Sequence, residues 1–411
     1  MNRKNLQLNR EMKILLIHNY YRYRGGEDRY VEILKDTLSR KGHQVTGFSF
    51  DSKEIKTFTF IDKLLIPAKI IHSSTVNQEL EKLLVEAKPD LAVIHNLFPL
   101  LSLSILKILK KYRVPIIKRI ENYRFLCLNG LFFRNNSGIC DRCKNGNLIP
   151  GIIHKCYQDS FLNSIGMAVP LMVTNWKKLL FSTIDLFLAP SQFVKETFKE
   201  AGFPGEKIAV LPNFLDFEPL ESILEPKSYA VFIGRLSEEK GLLTLLKAFK
   251  ELPDIPLKIV GEGPLEKEVK EFVHHHQMKH VELTGFVDGT VKREILSRAR
   301  FLVFPSECYE SFGYSIIESH ACGVPVIASA IGGSRELIQE GENGFLFEPG
   351  NPDDLWEKIS RILAMDKKDL MAMKEKSLKR VKELYTKEIG YKNLLELFGI
   401  LQELRGKGVE R

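Results

Sequence analysis

The chain has 411 residues, of which 44% are hydrophobic and 27% are charged. A soluble domain averages about 100–200 residues, so two domains are expected, each long enough to bury a core. The start of the sequence has only a four-residue apolar run, residues 14–17, which is too short for a signal-peptide core or a membrane span. We therefore expect a cytoplasmic protein, whose six cysteines serve as thiols or metal ligands rather than in disulfides.

The charge is divided unevenly between the two halves. Residues 1–210 carry 32 Lys+Arg against 19 Asp+Glu, whereas residues 211–411 carry 28 against 33. The first half is therefore at +13 and the second at −5. This asymmetry suggests that the first half meets something anionic, such as nucleic acid, anionic lipid or a phosphate-bearing substrate. Ordinary surface charge is the alternative.

In chain order, short apolar runs alternate with amphipathic runs through the first half. The apolar runs predict buried strands and the amphipathic runs predict helices. The predicted strands span residues 13–18, 43–50, 91–95, 115–120, 185–189 and 207–211, and the predicted helices span residues 27–40, 101–112 and 192–201. Such alternation implies a parallel sheet that is covered on both faces.

The alternation restarts after a Pro- and Glu-containing stretch at residues 214–227, which is typical of a linker. Strands are predicted at residues 229–233, 257–260, 281–283, 301–304 and 325–328, and helices at 242–250, from Asn351 onward, and at about 387–405. Asn351 is a good helix cap, because Pro and two acids follow it.

The expected fold class is α/β, with two tandem Rossmann-like doubly wound domains facing across a cleft. The domains are predicted at residues 1–213, with a Cys-rich insertion at about 125–158, and at residues 228–385. A C-terminal helix, residues 386–411, is expected to cross back to the first domain. Ligands of such sheets bind at the carboxyl ends of the strands, so the cleft is the expected site.

The sharpest motif is the segment from Gly234 to Gly241, which directly follows a predicted strand. Arg235 and Lys240 are two cations beside a glycine turn that opens a helix. A diphosphate suits this arrangement, because arginine supplies a planar fork, lysine a point charge and the helix start its unbonded N–H groups. A basic helix cap is the alternative for the motif taken alone.

A second motif runs from Glu310 to Glu318 and places two carboxylates across a loop-to-helix junction. Gly313 allows close approach of the backbone to a ligand, and the amides of Gly313, Tyr314 and Ser315 would lie at a helix N-terminus that suits phosphate oxygens. Glu310 would accept hydrogen bonds from a sugar and Glu318 from ribose hydroxyls. Each carboxylate taken alone could equally be a solvated surface group.

Together these motifs resemble family 4 of the retaining glycosyltransferases, the group 1 glycosyltransferases with the GT-B architecture. The resemblance also covers residues 260–264, 285–287, 332–336 and 25–27, in family order over nearly the whole chain. The chain resembles in particular the transferases that act in the synthesis of bacterial capsular polysaccharide, exopolysaccharide or lipopolysaccharide. The resemblance implies transfer of a sugar from a UDP- or GDP-sugar to a saccharide or lipid-linked acceptor, with retention at the anomeric carbon.

The resemblance also implies residue roles. Arg235 and Lys240 match the family positions that hold the donor diphosphate, and Glu310 and Glu318 those that hold the donor sugar and ribose. Phe286 and Val287 would border the nucleobase, Gly261 would line the donor site and Gly26 would lie near the reacting phosphate. No metal or other cofactor is expected for catalysis, because Arg235, Lys240 and a helix dipole neutralise the leaving diphosphate.

One position departs from the family pattern. Relatives often carry His where this chain has Glu121, and that His would contact the donor sugar. A carboxylate keeps the acceptor capacity but adds a negative charge near the donor phosphates. Glu121 is therefore retained as a candidate catalytic residue, and a buried carboxylate paired with Arg119 or Arg124 is the alternative.

Four cysteines form a separate pattern. Cys127, Cys140, Cys143 and Cys156 are spaced C-x12-C-x2-C-x12-C. Four thiolates with a C-x-x-C knuckle suit a tetrahedral structural zinc site. Four unrelated thiols are the alternative, because only one knuckle of the usual two is present.

Two apolar segments edged by cations suggest peripheral contact with an anionic membrane on its inner face. They are residues 97–114 and residues 161–181. The alternative for each is a core-facing helix with a wet basic side. His18 and His95, at strand ends, are either substrate contacts or satisfied strand-end histidines.

Two other functions compete with sugar transfer. A sugar phosphorylase or a nucleotide-sugar epimerase would share the fold, but no motif supports the cofactor lysine of a phosphorylase. A basic nucleic-acid-binding protein with a zinc knuckle would leave Arg235, Lys240, Glu310 and Glu318 unexplained. We therefore expect no nucleic-acid partner.

Overall fold

A computed structural model describes residues 11–22, 25–135, 137–221 and 229–406. The predicted domain starts at residues 1 and 228, part of the predicted linker (residues 222–227) and the last residues of the predicted C-terminal helix (407–411) lie outside the described residues. Within the described part, no helix combines the length and the apolar character needed to cross a bilayer.

The chain divides into two compact units. Unit 1 lies within residues 1–130, 141–212 and 390–411, and unit 2 within residues 131–140 and 213–389. The last helix of the chain is thus grouped with the first unit from Gly390 onward. Within unit 1, Nε2 of His43 lies 2.8 Å from the hydroxyl of Tyr391 on that helix.

The strands are β1 (Lys13–Tyr20), β2 (Gln44–Asp51), β3 (Leu91–Ile94), β4 (Ile116–Arg119), β5 (Phe133–Arg134), β6 (Gly138–Ile139), β7 (Leu186–Ala189), β8 (Ile208–Val210), β9 (Ala230–Ile233), β10 (Leu257–Val260), β11 (Val281–Gly285), β12 (Phe301–Phe304), β13 (Val326–Ser329) and β14 (Gly344–Phe347). The predicted strands agree with these within two residues at each end. Most strands of the two large sheets are short and buried, as the apolar runs predict, whereas β2 and β11 are largely half-buried or exposed.

The helices are α1 (Gly26–Arg40), α2 (Phe60–Ile71), α3 (Ser74–Ala87), α4 (Ile105–Lys111), α5 (Ile149–Ile153), α6 (Phe161–Val173), α7 (Trp176–Thr183), α8 (Gln192–Glu200), α9 (Leu242–Lys250), α10 (Glu266–His275), α11 (Gly289–Arg298), α12 (Tyr314–Ala321), α13 (Pro352–Ala364), α14 (Lys367–Leu384) and α15 (Lys387–Gly406). The predicted cap of α13 is confirmed, since Oδ1 of Asn351 accepts bonds from the N–H groups of Asp353 and Asp354, both at 3.1 Å.

Each unit is built on one six-stranded parallel sheet. The strand order is β2-β1-β3-β4-β7-β8 in unit 1 and β11-β10-β9-β12-β13-β14 in unit 2. Strands β5 and β6 form a separate antiparallel hairpin. The predicted α/β class with two tandem Rossmann-like domains is therefore confirmed.

Helices cover both faces of the unit 2 sheet, because alternate side chains of its strands point to opposite faces. On β9, Phe232 packs in the core cluster that contains Leu245 and Phe249 of α9. Its neighbour Val231 packs in the cluster that contains Ile316 and Ile317 of α12. Both faces are apolar along this strand, which explains why it reads as a continuous hydrophobic run.

The strand order also creates a crevice within unit 2. After β9 the chain proceeds to β10 on one side of β9 and later returns to β12 on the other side. The loops that leave β9 and β12 therefore diverge and open a crevice at the carboxyl edge of the sheet. Both donor-site motifs lie in these two loops.

Candidate donor site

Glycines allow the carboxyl-end loops of unit 2 to pack backbone against backbone. A Cβ on Gly241 would lie 1.9 Å from the carbonyl oxygen of Pro305, and a Cβ on Gly261 would lie 1.9 Å from that of Gly234. Both glycines also have positive φ, at 68° and 141°. The loops after β9, β10 and β12 are thereby held together, which is the role that their glycines predict.

Arg235 is anchored along one edge of its guanidinium. It donates from Nε to Oγ of Ser237 at 3.1 Å and from Nη2 to Oε1 of Glu239 at 2.5 Å. Burial by itself would raise the pKa of Glu239, but the charges of Arg235 and Lys240 outweigh it and lower that pKa. Glu239 is therefore a buried anion that orients a cation whose side chain is half exposed.

Lys240 reaches the other motif. Its ammonium group donates to Oε1 of Glu310 at 2.5 Å, and Oγ of Ser306 donates to the same oxygen at 2.6 Å. Burial would lower the pKa of Lys240, but the charge of Glu310 outweighs it and raises that pKa. The structure thus brings together the cation and the carboxylate that the sequence places in separate motifs.

The predicted helix start after Glu310 is present. Gly313 precedes α12 with φ 113°, and a Cβ there would lie 2.9 Å from Cδ1 of Ile316. The N–H groups of Tyr314 and Ser315 lie in the first turn of α12, where backbone donors are left for a ligand. The hydroxyl of Tyr314 donates to the carbonyl oxygen of Phe214 at 3.2 Å, which fixes its ring within unit 2.

Glu318 is more buried than the motif suggests. It lies one turn into α12, is 2% exposed and accepts a hydrogen bond from Nζ of Lys292 at 2.6 Å. Lys292 on α11 is itself buried. The sequence analysis did not identify Lys292, because α11 follows a different strand and nothing in the local pattern links it to Glu318.

The loop after β11 carries the residues expected at the nucleobase. Phe286 is largely exposed, and its N–H donates to Oε1 of Glu262 at 3.5 Å. Val287 is partly buried against the apolar cluster of α12. Because Glu262 directly follows Gly261, the contact brings the loops after β10 and β11 together.

Gly26 and Glu121 lie in unit 1, Gly26 at the start of α1 and Glu121 in the loop after β4. Gly25 and Gly26 stand at the start of α1, where Asp28 accepts a bond from the N–H of Gly25 at 2.9 Å. Nδ2 of Asn122, next to Glu121, donates to Oε2 of Glu27 at 2.9 Å. The start of α1 and the Glu121 loop are therefore in contact at the carboxyl ends of β1 and β4 in the unit 1 sheet.

Glu121 is a buried carboxylate that forms an ion pair with Arg119. The Arg119 guanidinium lies 4.2 Å from the centroid of the Tyr30 ring and donates to the carbonyl oxygen of Leu211 at 2.9 Å. This arrangement matches the alternative given for Glu121, a paired buried carboxylate. A direct role of Glu121 on the donor stays a prediction.

The two strand-end histidines differ. Nε2 of His18 lies 2.9 Å from Oδ1 of Asp28, and its Nδ1 accepts from the N–H of Asn96 at 3.3 Å. His95 is fully buried and neither ring nitrogen has a hydrogen-bond partner among the described residues. Burial, together with the charges of His18, Arg119 and Lys118, lowers the pKa of His95 well below its ordinary value. Both ring nitrogens of His18 thus have hydrogen-bond partners, as expected for a structural histidine at a strand end. The His95 ring, in contrast, is buried and neutral.

The four cysteines of the predicted zinc site differ in burial. Cys127 and Cys143 are buried and Cys140 and Cys156 are partly exposed, and the Cys127 thiol bonds to Oδ1 of Asn129 at 3.0 Å. Within the described ranges, no group of three or more His, Cys, Asp or Glu side chains could hold a metal ion. Structural zinc therefore stays a prediction from spacing alone.

Three residues of the site were missed by the sequence analysis: Glu239, Ser306 and Lys292. Glu239 lies four positions after Arg235, so the spacing of an ion pair within one turn could have revealed it. Ser306 lies in a loop, four positions before Glu310, and Lys292 lies on a helix, 26 positions before Glu318. The sequence does not show that either side chain approaches its carboxylate, because the fold brings them together.

The family match covers the part of the chain that carries the candidate donor site. Residues 218–380 match the family model described as glycosyl transferases group 1. An uncharacterized glycosyltransferase of Methanocaldococcus jannaschii is 36% identical over 136 residues, which cover 33% of this chain and 38% of that protein. A lipopolysaccharide 1,2-N-acetylglucosaminetransferase of Salmonella typhimurium is 28% identical over 215 residues, which cover 46% of this chain and 56% of that protein. The chain thus spans less than two thirds of the length of these relatives.

The fold is shared over nearly the whole chain. The structure of an Anabaena protein, HepE, in complex with UDP superimposes with a TM-score of 0.67 at 18% identity, covering 94% of this chain and all of that one. At this identity the likeness establishes the fold, which is that of the GT-B glycosyltransferases. Residues 218–380 are therefore the part of the chain that is similar to the group 1 glycosyl transferases.

Proposed function

We propose that the protein transfers a sugar from a nucleotide-diphosphate sugar to a saccharide or lipid-linked acceptor in the synthesis of a cell-surface polysaccharide. The observation that carries this proposal is the Lys240–Glu310 ion pair, with Arg235 anchored beside it on the same loop. A diphosphate next to a sugar requires cations and hydrogen-bond acceptors side by side, and unit 2 supplies both. Unit 2 is accordingly proposed as the donor domain and unit 1 as the acceptor domain.

The proposed roles follow from the donors and acceptors of each side chain. An ammonium group has three donors, so Lys240 can bind a phosphate oxygen while it holds Glu310. The guanidinium of Arg235 has five donors, and its exposed half can bind the diphosphate while Glu239 and Ser237 hold the other half. Positive charge at this point stabilises the departing diphosphate, and the first turn of α12 adds backbone donors from Tyr314 and Ser315.

The remaining roles are proposals of the same kind. Glu310 would hold the donor sugar and Glu318 the ribose, with Phe286 and Val287 beside the base and Gly261 and Gly313 giving close backbone approach. Gly26 and Glu121 would act from unit 1. Retention would follow from a donor phosphate that assists deprotonation of the acceptor, with catalysis by positioning and charge stabilisation and no cofactor.

Two observations guide the choice of substrates. UDP is bound by the structurally similar Anabaena protein, so UDP is the first nucleotide to test. The similar Salmonella protein is named for a lipopolysaccharide acceptor, and residues 1–210 carry a net charge of +13. Both support an acceptor attached to a lipid or polysaccharide, and a protein that contacts the inner face of an anionic membrane peripherally.

The test is calorimetric binding of UDP and GDP, followed by transfer assays with a panel of nucleotide sugars. We expect saturable binding of one nucleotide that is lost in Arg235→Ala. Arg298→Ala is the matched control, since Arg298 is 46% exposed and paired with a Glu four residues away, while Arg235 is 48% exposed and similarly paired. Equal loss in both variants, or oligonucleotide binding that Arg235→Ala leaves intact, would contradict the proposal.

A further inference from the structure

Unit 1 exposes an unusual concentration of large apolar side chains. Among the described residues, eleven of the twenty exposed large hydrophobic side chains lie on three short helices, α2, α5 and α6. Single exposed apolar residues are normal on a protein surface, but a contiguous group marks an interaction site. The three helices are neighbours, because α2 packs against α6 and α6 packs against α5.

On α2 the exposed residues follow helical spacing. Phe60, Ile61, Leu64 and Leu65 are all exposed, Phe60 at 81%, and they recur at intervals of about one turn. Ile70 on the same helix is buried. The helix therefore has one side toward unit 1 and an apolar side toward the solvent.

The same division holds on α6. Leu162 is 77% exposed, and Val169, Met172 and Val173 continue along the same side, while Met167 is buried. Gly166 of α6 packs against the Pro67 ring of α2, since an added Cβ at Gly166 would lie 3.2 Å from Cγ of Pro67. Together with Ile149 and Ile153 of α5, the exposed side chains of α2 and α6 form a surface that we term the apolar face.

Cations border the apolar face. Lys56 just before α2, Lys63 within it, Lys155 just after α5 and Lys178 on α7 are all exposed. Residues 52–72 and 149–183 together hold seven lysines and three carboxylates. An apolar stripe on short helices, flanked by lysines, is the arrangement that binds the headgroup region of an anionic bilayer.

We propose that the apolar face is the docking surface of this protein for an anionic phospholipid bilayer, with α2, α5 and α6 lying in the plane of the headgroups. The proposal rests on the peripheral membrane contact proposed above and assigns the surface that makes it. Charge complementarity selects this occupant: two copies of a cationic face would repel each other, whereas anionic headgroups would pair with the bordering lysines.

The structure also excludes one of the two segments that the sequence suggested for this contact. In residues 97–114, the side chains of Leu97, Leu101, Ile105, Leu106 and Leu109 are all at most 1% exposed. That segment is a core-facing helix with lysines on its outer side. The segment 161–181 does contribute through α6, and α2 had no sequence-based assignment.

The test is co-sedimentation of the full chain with vesicles of 70% phosphatidylcholine and 30% phosphatidylglycerol, compared with pure phosphatidylcholine. We expect binding to the anionic vesicles that salt weakens, and a loss of about ten-fold or more in the partition coefficient of Leu64→Glu/Leu162→Glu. Val85→Glu/Leu384→Glu is the matched control, since it adds two charges at exposed apolar positions on helices other than α2, α5 and α6.

Three measurements make the outcome decisive. Circular dichroism checks that each variant is folded, and light scattering on size-exclusion eluates measures its oligomeric state. Equal vesicle binding by the wild type and Leu64→Glu/Leu162→Glu would overturn the proposal. A dimer that Leu64→Glu/Leu162→Glu dissociates, without vesicle binding by the wild type, would also overturn it. UDP binding, measured on the same variants, reports on the donor site separately, so failure of either proposal is visible without the other.

Discussion

Lys240 and Glu310 lie 70 residues apart in the chain, yet their charged groups are 2.5 Å apart. They meet because β9 and β12 are adjacent at the point where the strand order of unit 2 reverses. The cation proposed for the diphosphate and the acid proposed for the sugar therefore form one electrostatic unit. A change at either residue alters the charge that the other presents to a donor.

Loss of the Lys240 charge should weaken nucleotide binding. In Lys240→Ala, the phosphate loses a charge-assisted hydrogen bond and Glu310 is left as an uncompensated anion beside it. We expect UDP affinity to fall roughly ten- to one-hundred-fold, as measured by calorimetry. Lys247→Ala, an exposed lysine on α9, is the control and should bind as the wild type does. Wild-type affinity in Lys240→Ala would remove this residue from the site.

The buried Lys292–Glu318 pair should behave as a coupled unit in stability. Lys292→Met leaves the carboxylate of Glu318 buried without its cation, so we expect the free energy of unfolding to fall by about 3–5 kcal/mol. The double variant Lys292→Met/Glu318→Gln should recover most of this loss, because neither charge remains. Urea denaturation of Lys292→Met, Glu318→Gln and the double variant measures the coupling.

An exposed ion pair provides the comparison for the buried Lys292–Glu318 pair. Lys111 is 67% exposed and pairs with Glu81, and breaking this pair should leave the free energy of unfolding nearly unchanged, because solvent screens both charges. If Lys292→Met cost no more than Lys111→Met, the pair would not hold Glu318 in place.

Gly241→Ala should disrupt the donor loops. The added methyl group would meet the carbonyl oxygen of Pro305, and the residue has φ 68°. Gly289 has φ 57° but open space around it, so Gly289→Ala isolates the backbone cost, about 1 kcal/mol. We expect Gly241→Ala to lose more than about 3 kcal/mol in urea denaturation, and to lose UDP binding. If Gly241→Ala lost no more free energy of unfolding than Gly289→Ala, the loops after β9 and β12 would be able to move apart.

Glu121 should be required for the stability of unit 1. In Glu121→Gln and Glu121→His, the buried guanidinium of Arg119 loses its counter-ion, so the free energy of unfolding should fall by about 3 kcal/mol. UDP binding should persist, because the proposed diphosphate contacts lie in unit 2. Wild-type stability together with a loss of transfer would instead indicate a direct role of Glu121 on the substrate.

His320 should make the protein sensitive to mild acid. The ring is fully buried on α12, its Nε2 lies 3.1 Å from the carbonyl oxygen of Asn343, and burial lowers its pKa from 6.5 to about 3. The unfolded chain binds a proton below pH 6.5 that the native state does not bind. The contribution of His320 to stability is therefore fully present above pH 6.5 and is lost as the pH falls towards 3, by up to ~1.4 kcal/mol per pH unit.

The variant His320→Gln keeps a nitrogen donor for Asn343 but does not titrate. Its free energy of unfolding should decline less steeply than that of the wild type between pH 6.5 and 4.5, as measured by urea denaturation. His275→Gln, which removes an exposed ring on α10, should follow the wild type. Parallel curves for His320→Gln and the wild type would show that the native state protonates this ring.

The sequence by itself determined eleven of the fourteen described strands, the two-sheet organisation and the motifs of the candidate donor loops, but not β5, β6 or β14. These features depend on local information: the apolar period of each strand, the cap at Asn351 and glycines at turns such as Gly241 and Gly313. Local patterns of this kind are preserved wherever the segment packs, because the backbone conformation of a strand, a cap or a turn depends largely on neighbouring residues.

Only the tertiary structure decided which charges meet and which apolar side chains stay exposed. Lys292 and Glu318 come from different helices. For Glu121, the sequence offered two arginines as counter-ions, and the fold places Arg119 against the carboxylate. Residues 97–114 and α6 are both rich in apolar residues, yet most apolar side chains of the first are buried and five of the second are exposed. Ion pairing and burial depend on the approach of segments distant in the chain, and no local pattern carries that information.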